Sequence, residues 1–408
     1  TWLRGRDFHS SKRMTIESMA DGMTLESLLK DIPSLIKSLR ENRETYLTDA
    51  VLLGEIPAPT FGEEERVRLA LDRFRENGLD DPEIDEFGNA SGILPGKVGS
   101  STILVMAHAD SVFGPEVRHV LNVGSDSISG PGIADNAIGM AAIVGLPKLL
   151  DKLGIQLKDD LLLLINTKSL GVANLEGSRG FLETKQRPIR AGICVEGAEQ
   201  GRLSYSGLGA LRGQINLSLP SNYDWNRFGA AGAISHLTRL VNQIMEIPVP
   251  KEPKTKMVFG EIHSGSSFNT SPKSGMLRFE ISSEGDEVVE EMEAQVNELC
   301  EQYSLETGLE VKMEVVAKRQ NCGIPFTHPL VKTTRSIMSE AGITPAVDPT
   351  TGDLNSIILA GHPGVTLGLT QAENLREANE SIKLEPLYSG IAQMITLLRA
   401  IDQGLCES

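Results

Sequence analysis

At 408 residues the chain is long enough for two domains with well-buried cores. Its apolar content of 40% is ordinary, and apolar runs such as Leu161 to Ile165 have the length of one buried strand, too short to span a bilayer. A formal net charge of −16 argues against nucleic acid and anionic lipid membranes as partners. Four scattered cysteines with no Cys-x-x-Cys pair read as free thiols in a reducing compartment, so the expected location is cytoplasmic.

The first residues, TWLRGRDFHSSKR, are polar and basic and lack the apolar core of a signal peptide. Residues 1–20 are expected to form a disordered tail, with Met14 as a candidate natural start. Residues 24–54 have apolar positions at helical spacing, with Thr24 as the expected N-cap. IPAPTFGEEERVRLALDRFRENG reads as a loop and an amphipathic helix closed by Gly78. STILVMAHADSVF is a buried strand with its exit loop, and GPGIADNAIGMAAIVGLPKLLDKLG a glycine-rich loop opening a helix. DLLLLINTKSLG and AGICVEGAEQGRLSYSG are two further buried strands with their exits. Strands alternating with helices predict an α/β fold with a mostly parallel sheet, whose ligand-bearing loops follow the strand carboxyl ends.

Near Gly207 the pattern changes to strand ALRGQINLSL, helix GAAGAISHLTRLVNQIM, strands KMVFGEIHSG and GMLRFEISSEG, a long acidic helix, and strand LEVKMEVVAK. This β-α-β-β-α-β order is that of a ferredoxin-like domain. The α/β pattern resumes after about residue 318. The expected division is therefore 21–206 with 319–408 as the large domain, and 207–318 as an insertion.

Four strand exits carry groups suited to a metal or its surroundings. His108 and Asp110 form an H-x-D pair, Asp135 lies in the glycine-rich loop, Glu196 follows a buried strand, and Asp353 lies in TTGDLNS. One imidazole and two carboxylates are enough to hold a zinc ion with an open coordination position. Asp110 is the expected carboxylate orienting the His108 ring from behind. Any one acid taken alone is more often a solvated surface group; the case rests on the set.

The motifs sharpen the reading. IPAPTFGEEERV, DEFGNASGILPG, MAHADSVF, GPGIADNAIGMAA, GSSFNTSP and TTGDLNSIILAGHPGVTLG follow one another in the order found in the co-catalytic zinc peptidases. Over about residues 45–402 the chain resembles that family, which includes peptidase T, carboxypeptidase G, acetylornithine deacetylase and aminoacylase. The resemblance implies a zinc exopeptidase-like domain with an inserted lid and dimerisation domain, 207–318. It also implies one zinc held by His108, Asp135 and Glu196. A second zinc would share Asp135 and take a glutamate from a Glu-Glu pair and a late histidine, the first glutamate of the pair acting as general base. Asn269, in the GSSFNTSP turn, and Asp353 become candidate substrate-binding residues.

The chain departs from that pattern where catalysis is performed. Ser169 stands at the general-base position and Leu170 at that of a zinc ligand; Arg376, in AENLREANE, stands where the late histidine belongs. Tyr223 in SNYDW replaces a lid histidine, and FEISSEG lacks the arginine of its motif. None of Ser169, Leu170 and Arg376 supplies what it replaces: a guanidinium has no acceptor and an aliphatic group no lone pair. Lys168 and Arg376 are expected to bring positive charge where dications were lost, Arg376 by pairing with Asp135 or Glu196. The expected cofactor is at most one zinc, cobalt or manganese ion, with a metal-free cleft as the alternative. The expected function is a catalytically impaired peptidase fold holding a small peptide or amino-acid-like ligand, with 207–318 available for homodimerisation. The alternatives are an active single-metal hydrolase of peptide or N-acyl bonds, and a structural partner of an active paralogue.

Overall fold

The computed structural model describes residues 23–184, 187–220 and 232–407. The expected disordered tail at 1–20 and the substituted Tyr223 lie outside the described residues.

The large domain opens with three helices, α1 (Leu25–Glu41), α2 (Glu44–Gly54) and α3 (Glu64–Glu76). The helical reading of 24–54 resolves into two helices with a break at Asn42–Arg43. Thr24 caps the first, its hydroxyl accepting from the Ser27 amide. Gly78, at φ 71°, ends α3, where the Leu79 amide donates back to the Phe74 carbonyl.

Six strands build the body of the main sheet: β1 (Asp80–Ile84), β2 (Ala90–Leu94), β3 (Thr102–His108), β4 (Asp160–Asn166), β5 (Ile189–Glu196) and β6 (Arg202–Ser204). Between β3 and β4 lie α4 (Ile138–Val144) and α5 (Leu146–Lys152), and between β4 and β5 lies α6 (Glu176–Thr184).

The inserted domain runs β7 (Gly209–Ser218), α7 (Ala233–Met245), β8 (Thr255–His263), β9 (Ser274–Ser283), α8 (Asp286–Thr307) and β10 (Glu310–Arg319). Its sheet order, β8-β9-β7-β10, is fully antiparallel and ferredoxin-like. Leu211, Ile215, Leu217, Leu277, Phe279 and Ile281 alternate along β7 and β9 and pack against the two helices. Arg212, Gln214, Arg278 and Glu280 occupy the intervening positions, on the opposite face.

The chain then completes the large domain with α9 (Pro329–Glu340), β11 (Ala346–Val347), α10 (Leu354–Leu359), β12 (Gly364–Gly368) and α11 (Leu384–Asp402). The main sheet order is β1-β2-β4-β3-β5-β12-β6-β11, and its four central strands, β4, β3, β5 and β12, are parallel. These strands are buried on both faces. Ile103, Val105, Leu161 and Leu163 face one helical layer, and Leu104, Met106, Leu162 and Leu164 face α6 and α10. After β3 the chain passes to β4 on one side and then returns across β3 to β5 on the other. The carboxyl ends of β3 and β5 therefore flank the crevice where an open α/β sheet collects ligands. All four cysteines are free.

Candidate metal and ligand cleft

His108, the last residue of β3, points its Nε2 at Asp135 Oδ1 (3.1 Å) and Glu196 Oε2 (3.7 Å). The ligand-capable atoms of these three side chains all lie within 4.8 Å of one another. Asp135 sits between Gly132, at φ 77°, and the start of α4. The next residue fixes its distance from β5. Asn136 donates to the Val195 carbonyl (2.9 Å) and accepts from the Gly197 amide (2.8 Å), clasping the main chain on both sides of Glu196. The loop from β3 and the exit of β5 are thus joined by one buried amide side chain.

Behind the imidazole, the Asp110 main-chain carbonyl lies 2.9 Å from His108 Nδ1, and its carboxylate Oδ1 lies 3.5 Å away. Nδ1 donates to the main-chain oxygen, the shorter of the two contacts, while the carboxylate also faces the ring from behind, and Nε2 is turned to the cleft. The Asp110 carboxylate has another task. Its Oδ2 accepts from the Thr60 hydroxyl (2.9 Å) and from the amides of Ser169 (3.0 Å) and Leu170 (2.7 Å).

Ser169 is buried and fully engaged. Its hydroxyl accepts from Asn166 Nδ2 (2.8 Å) and donates to Asp353 Oδ2 (2.8 Å). Asp353 also accepts from the Ser178 hydroxyl, at 2.6 Å. Leu170 lines the cleft beside it. Arg376 comes in from the opposite rim, Nε 3.4 Å from Asp135 Oδ2. Buried Glu380 sets the main chain there, taking the Arg376 amide on one oxygen and the Ala134 amide on the other, both at 3.0 Å.

Two candidates fall elsewhere. Lys168 does not supply charge to the cleft: its backbone is left-handed (φ 56°), and Nζ pairs with Glu176 at 2.9 Å. Asn269 lies on an exposed small-domain loop, where its Oδ1 accepts from Ser267. A cavity of about 600 Å³ adjoins that loop, away from His108. The cleft itself encloses about 160 Å³ and is lined, besides the residues above, by Glu199, Arg202, Arg212 and Leu375.

Burial disfavours charge on His108, but Asp110, Asp135 and Glu196 outweigh it and hold the ring pKa well above the ordinary histidine value. Asp135 is likewise opposed by burial, yet the His108 ring and then Arg376 keep it below the usual carboxylate range. Burial raises the carboxyls of Asp353, Glu63 and Glu380.

His108, Asp135 and Glu196 fit one divalent cation: two hard oxygen donors and one imidazole, with His108 already oriented from behind. Leu170 and Arg376, at the positions that the resemblance assigns to ligands of a second cation, offer no lone pair. Several residues that shape the cleft went unassigned from sequence: Glu63, Glu380, Asn136 and the arginines Arg66, Arg202 and Arg212. Glu63 and Glu380 sat inside quoted motifs, GEEERV and AENLREANE, which was the available signal. We expect Glu380→Gln to cost about 1–3 kcal/mol, because its amide group would face one of two main-chain donors. Thermal melting of the variant checks this, and an unchanged midpoint would refute the clasp.

Comparison with known proteins agrees with this fold. A model of peptidase family M28 matches residues 89–211, and one of the peptidase dimerisation domain matches 226–308. Carboxypeptidase G2 of Pseudomonas sp. (strain RS-16) is 26% identical over 368 residues, covering 86% of this chain and 85% of that protein. The dipeptidase Dug1p of Saccharomyces cerevisiae superposes with a TM-score of 0.73 at 12% identity, over 93% of this chain and 99% of the other. The Bacillus subtilis YXEP protein, described as a dinuclear metal-binding peptidase of the M20 family, superposes with a TM-score of 0.60 at 13% identity, over 90% and 98% of the two chains. The family models, the carboxypeptidase relative and the superposed folds all point to the zinc exopeptidase family.

Proposed function

We propose that this protein is a catalytically impaired member of its family that retains one cation site and uses the cleft to hold a small peptide or amino-acid-like ligand. The observation that carries this reading is the state of Ser169. At the general-base position stands a neutral hydroxyl that already accepts from Asn166 and donates to Asp353. It has no charge with which to draw a proton from water, and losing a general base typically costs about two to four orders of magnitude in rate. Leu170 and Arg376 replace the donors of a second ion, which removes a further source of charge stabilisation.

His108, Asp135 and Glu196 are the proposed ligands of a zinc, cobalt or manganese ion, which would supply Lewis-acid polarisation of a bound carbonyl. The chain's own residues position it: the Asp110 carbonyl orients His108, Asn136 spaces Asp135 from Glu196, and Arg376 supplies positive charge to Asp135. A cleft of about 160 Å³ is small beside the roughly 300–1,000 Å³ of drug-sized sites, which favours a ligand of one or two residues. Homodimerisation through 207–318 and a cytoplasmic location belong to the same proposal; the dimerisation-domain match and the free thiols support them.

A panel of di- and tripeptides and N-acyl amino acids, assayed with added zinc, cobalt or manganese, tests the reading. The expected result is no turnover above background in the wild type, while His108→Ala abolishes cation binding measured by calorimetry. Robust turnover that disappears in His108→Ala would replace this proposal with an active single-metal hydrolase.

A further inference from the structure

The segment from Thr167 to Leu175 is held in an unusual way. Four of its residues are left-handed: Lys168 (φ 56°), Gly171 (55°), Asn174 (55°) and Leu175 (59°). Three of these are not glycine, and such a backbone persists only where its surroundings dictate it. On the entry side the large domain dictates it. The amide of Thr167 donates to Asn89 Oδ1 (2.9 Å), that of Lys168 to Glu63 Oε1 (2.9 Å), and those of Ser169 and Leu170 to Asp110. The next polar contact comes from the other domain: Arg212 Nη1, on β7, donates to the Gly171 carbonyl.

Arg212 is itself fixed. Its Nε donates to Glu280 Oε2 at 2.8 Å, and Glu280 is its register partner on β9. The pair is three-quarters buried. Beside it on β10, Arg319 donates from Nη1 to the Thr351 carbonyl, in the loop that carries Asp353. The Ser169–Asp353 bond joins the two gripped loops. The contacts close into a ring: small-domain sheet, Arg212, Gly171, Ser169, Asp353, Thr351, Arg319, and back to the sheet.

We infer that Arg212 is a positioning residue, a latch by which the inserted domain fixes the Ser169–Leu170 wall of the cleft and hence its opening. The small domain does not hang as a free lid; its sheet is tied to both cleft loops before any ligand arrives. A ligand entering the cleft meets walls already set. This inference is independent of whether the cleft turns over a substrate, since it concerns the chain without ligand or metal.

Hydrogen exchange read by mass spectrometry on the full-length, metal-free protein tests it. In Arg212→Ala, exchange of amides 171–175 is expected to rise about tenfold or more, because the segment loses its hold from the small domain. In Arg212→Lys the rise is expected to be smaller, since an ammonium reaches the carbonyl but cannot also keep the Glu280 fork. Arg278→Ala is the control for a general loosening of the small domain. Arg278 lies on the same sheet face and, among the described residues, bonds Glu261 and Gln214, both in that domain; the exchange pattern of Arg278→Ala over 171–175 should match the wild type. Unchanged exchange in Arg212→Ala, or an equal rise in Arg278→Ala, would overturn the inference.

Discussion

Replacing Arg376 with alanine should tighten binding of a divalent cation at His108, Asp135 and Glu196 by about ten- to a hundredfold. The guanidinium reaches to 3.4 Å from Asp135 Oδ2, so it would stand roughly 6 Å from a cation held by that carboxylate. A charge of +2 facing +1 at that separation costs about 1.4–3 kcal/mol at an effective dielectric of roughly 40–80. A dielectric that high is warranted because the Arg376 side chain is 65% exposed. Removing it also frees the second oxygen of Asp135. Competitive zinc titration against a chromophoric chelator reads the change, which should shrink in 1 M salt as screening takes over. Arg376→Lys keeps the charge and should move affinity far less. Equal affinities for wild type and Arg376→Ala would show that the guanidinium is a bystander.

The second large effect lies below the cleft. Arg66 is fully buried, donating from Nε to the Ile56 carbonyl (3.0 Å) and from Nη1 to the Ala109 carbonyl (2.9 Å). Burial lowers its pKa to about 10, against the pull of Asp110 and Glu63. Those two acids hold the amides of Lys168, Ser169 and Leu170, so Arg66 neutralises the charges that shape the cleft wall. Arg66→Met keeps an unbranched apolar stem but strands two carbonyls and leaves the acids without their cation. The expected loss is about 3–5 kcal/mol, measured as a fall in the urea midpoint. Adding Glu63→Gln to that variant should recover part of it, because one uncompensated charge goes. A loss below about 1 kcal/mol would mean that water takes over the role of Arg66.

Much of this was legible in the sequence because it followed from burial and strand ends. The runs ILVMA and LLLLI read as buried strands whose carboxyl ends a parallel sheet brings together, and the collinear motifs then singled out His108, Asp135 and Glu196, which are scattered over 89 positions and meet within 4.8 Å. Arg376 beside Asp135 followed from the family resemblance, which set it at a ligand position near Asp135 or Glu196. What was illegible depended on main-chain direction. Lys168 turns away because its backbone is left-handed, which no charge pattern reveals. At Asp110 the main-chain oxygen joins the carboxylate behind His108, and makes the shorter contact. Glu63 and Arg66 lie in GEEERVRLALDRF, which reads as a loop entering an amphipathic helix, yet both are buried against amides and carbonyls that only the tertiary structure supplies. Asn269 was placed by motif, but its loop is exposed on the small domain.

Cation stoichiometry decides the central claim most directly. Native mass spectrometry of the protein equilibrated with excess zinc, then freed of loosely held ions, should show one ion per chain in the wild type and none in His108→Ala. Two tightly held ions per chain, both lost with Asp135→Ala, would contradict the account, because Leu170 and Arg376 leave the second without ligands.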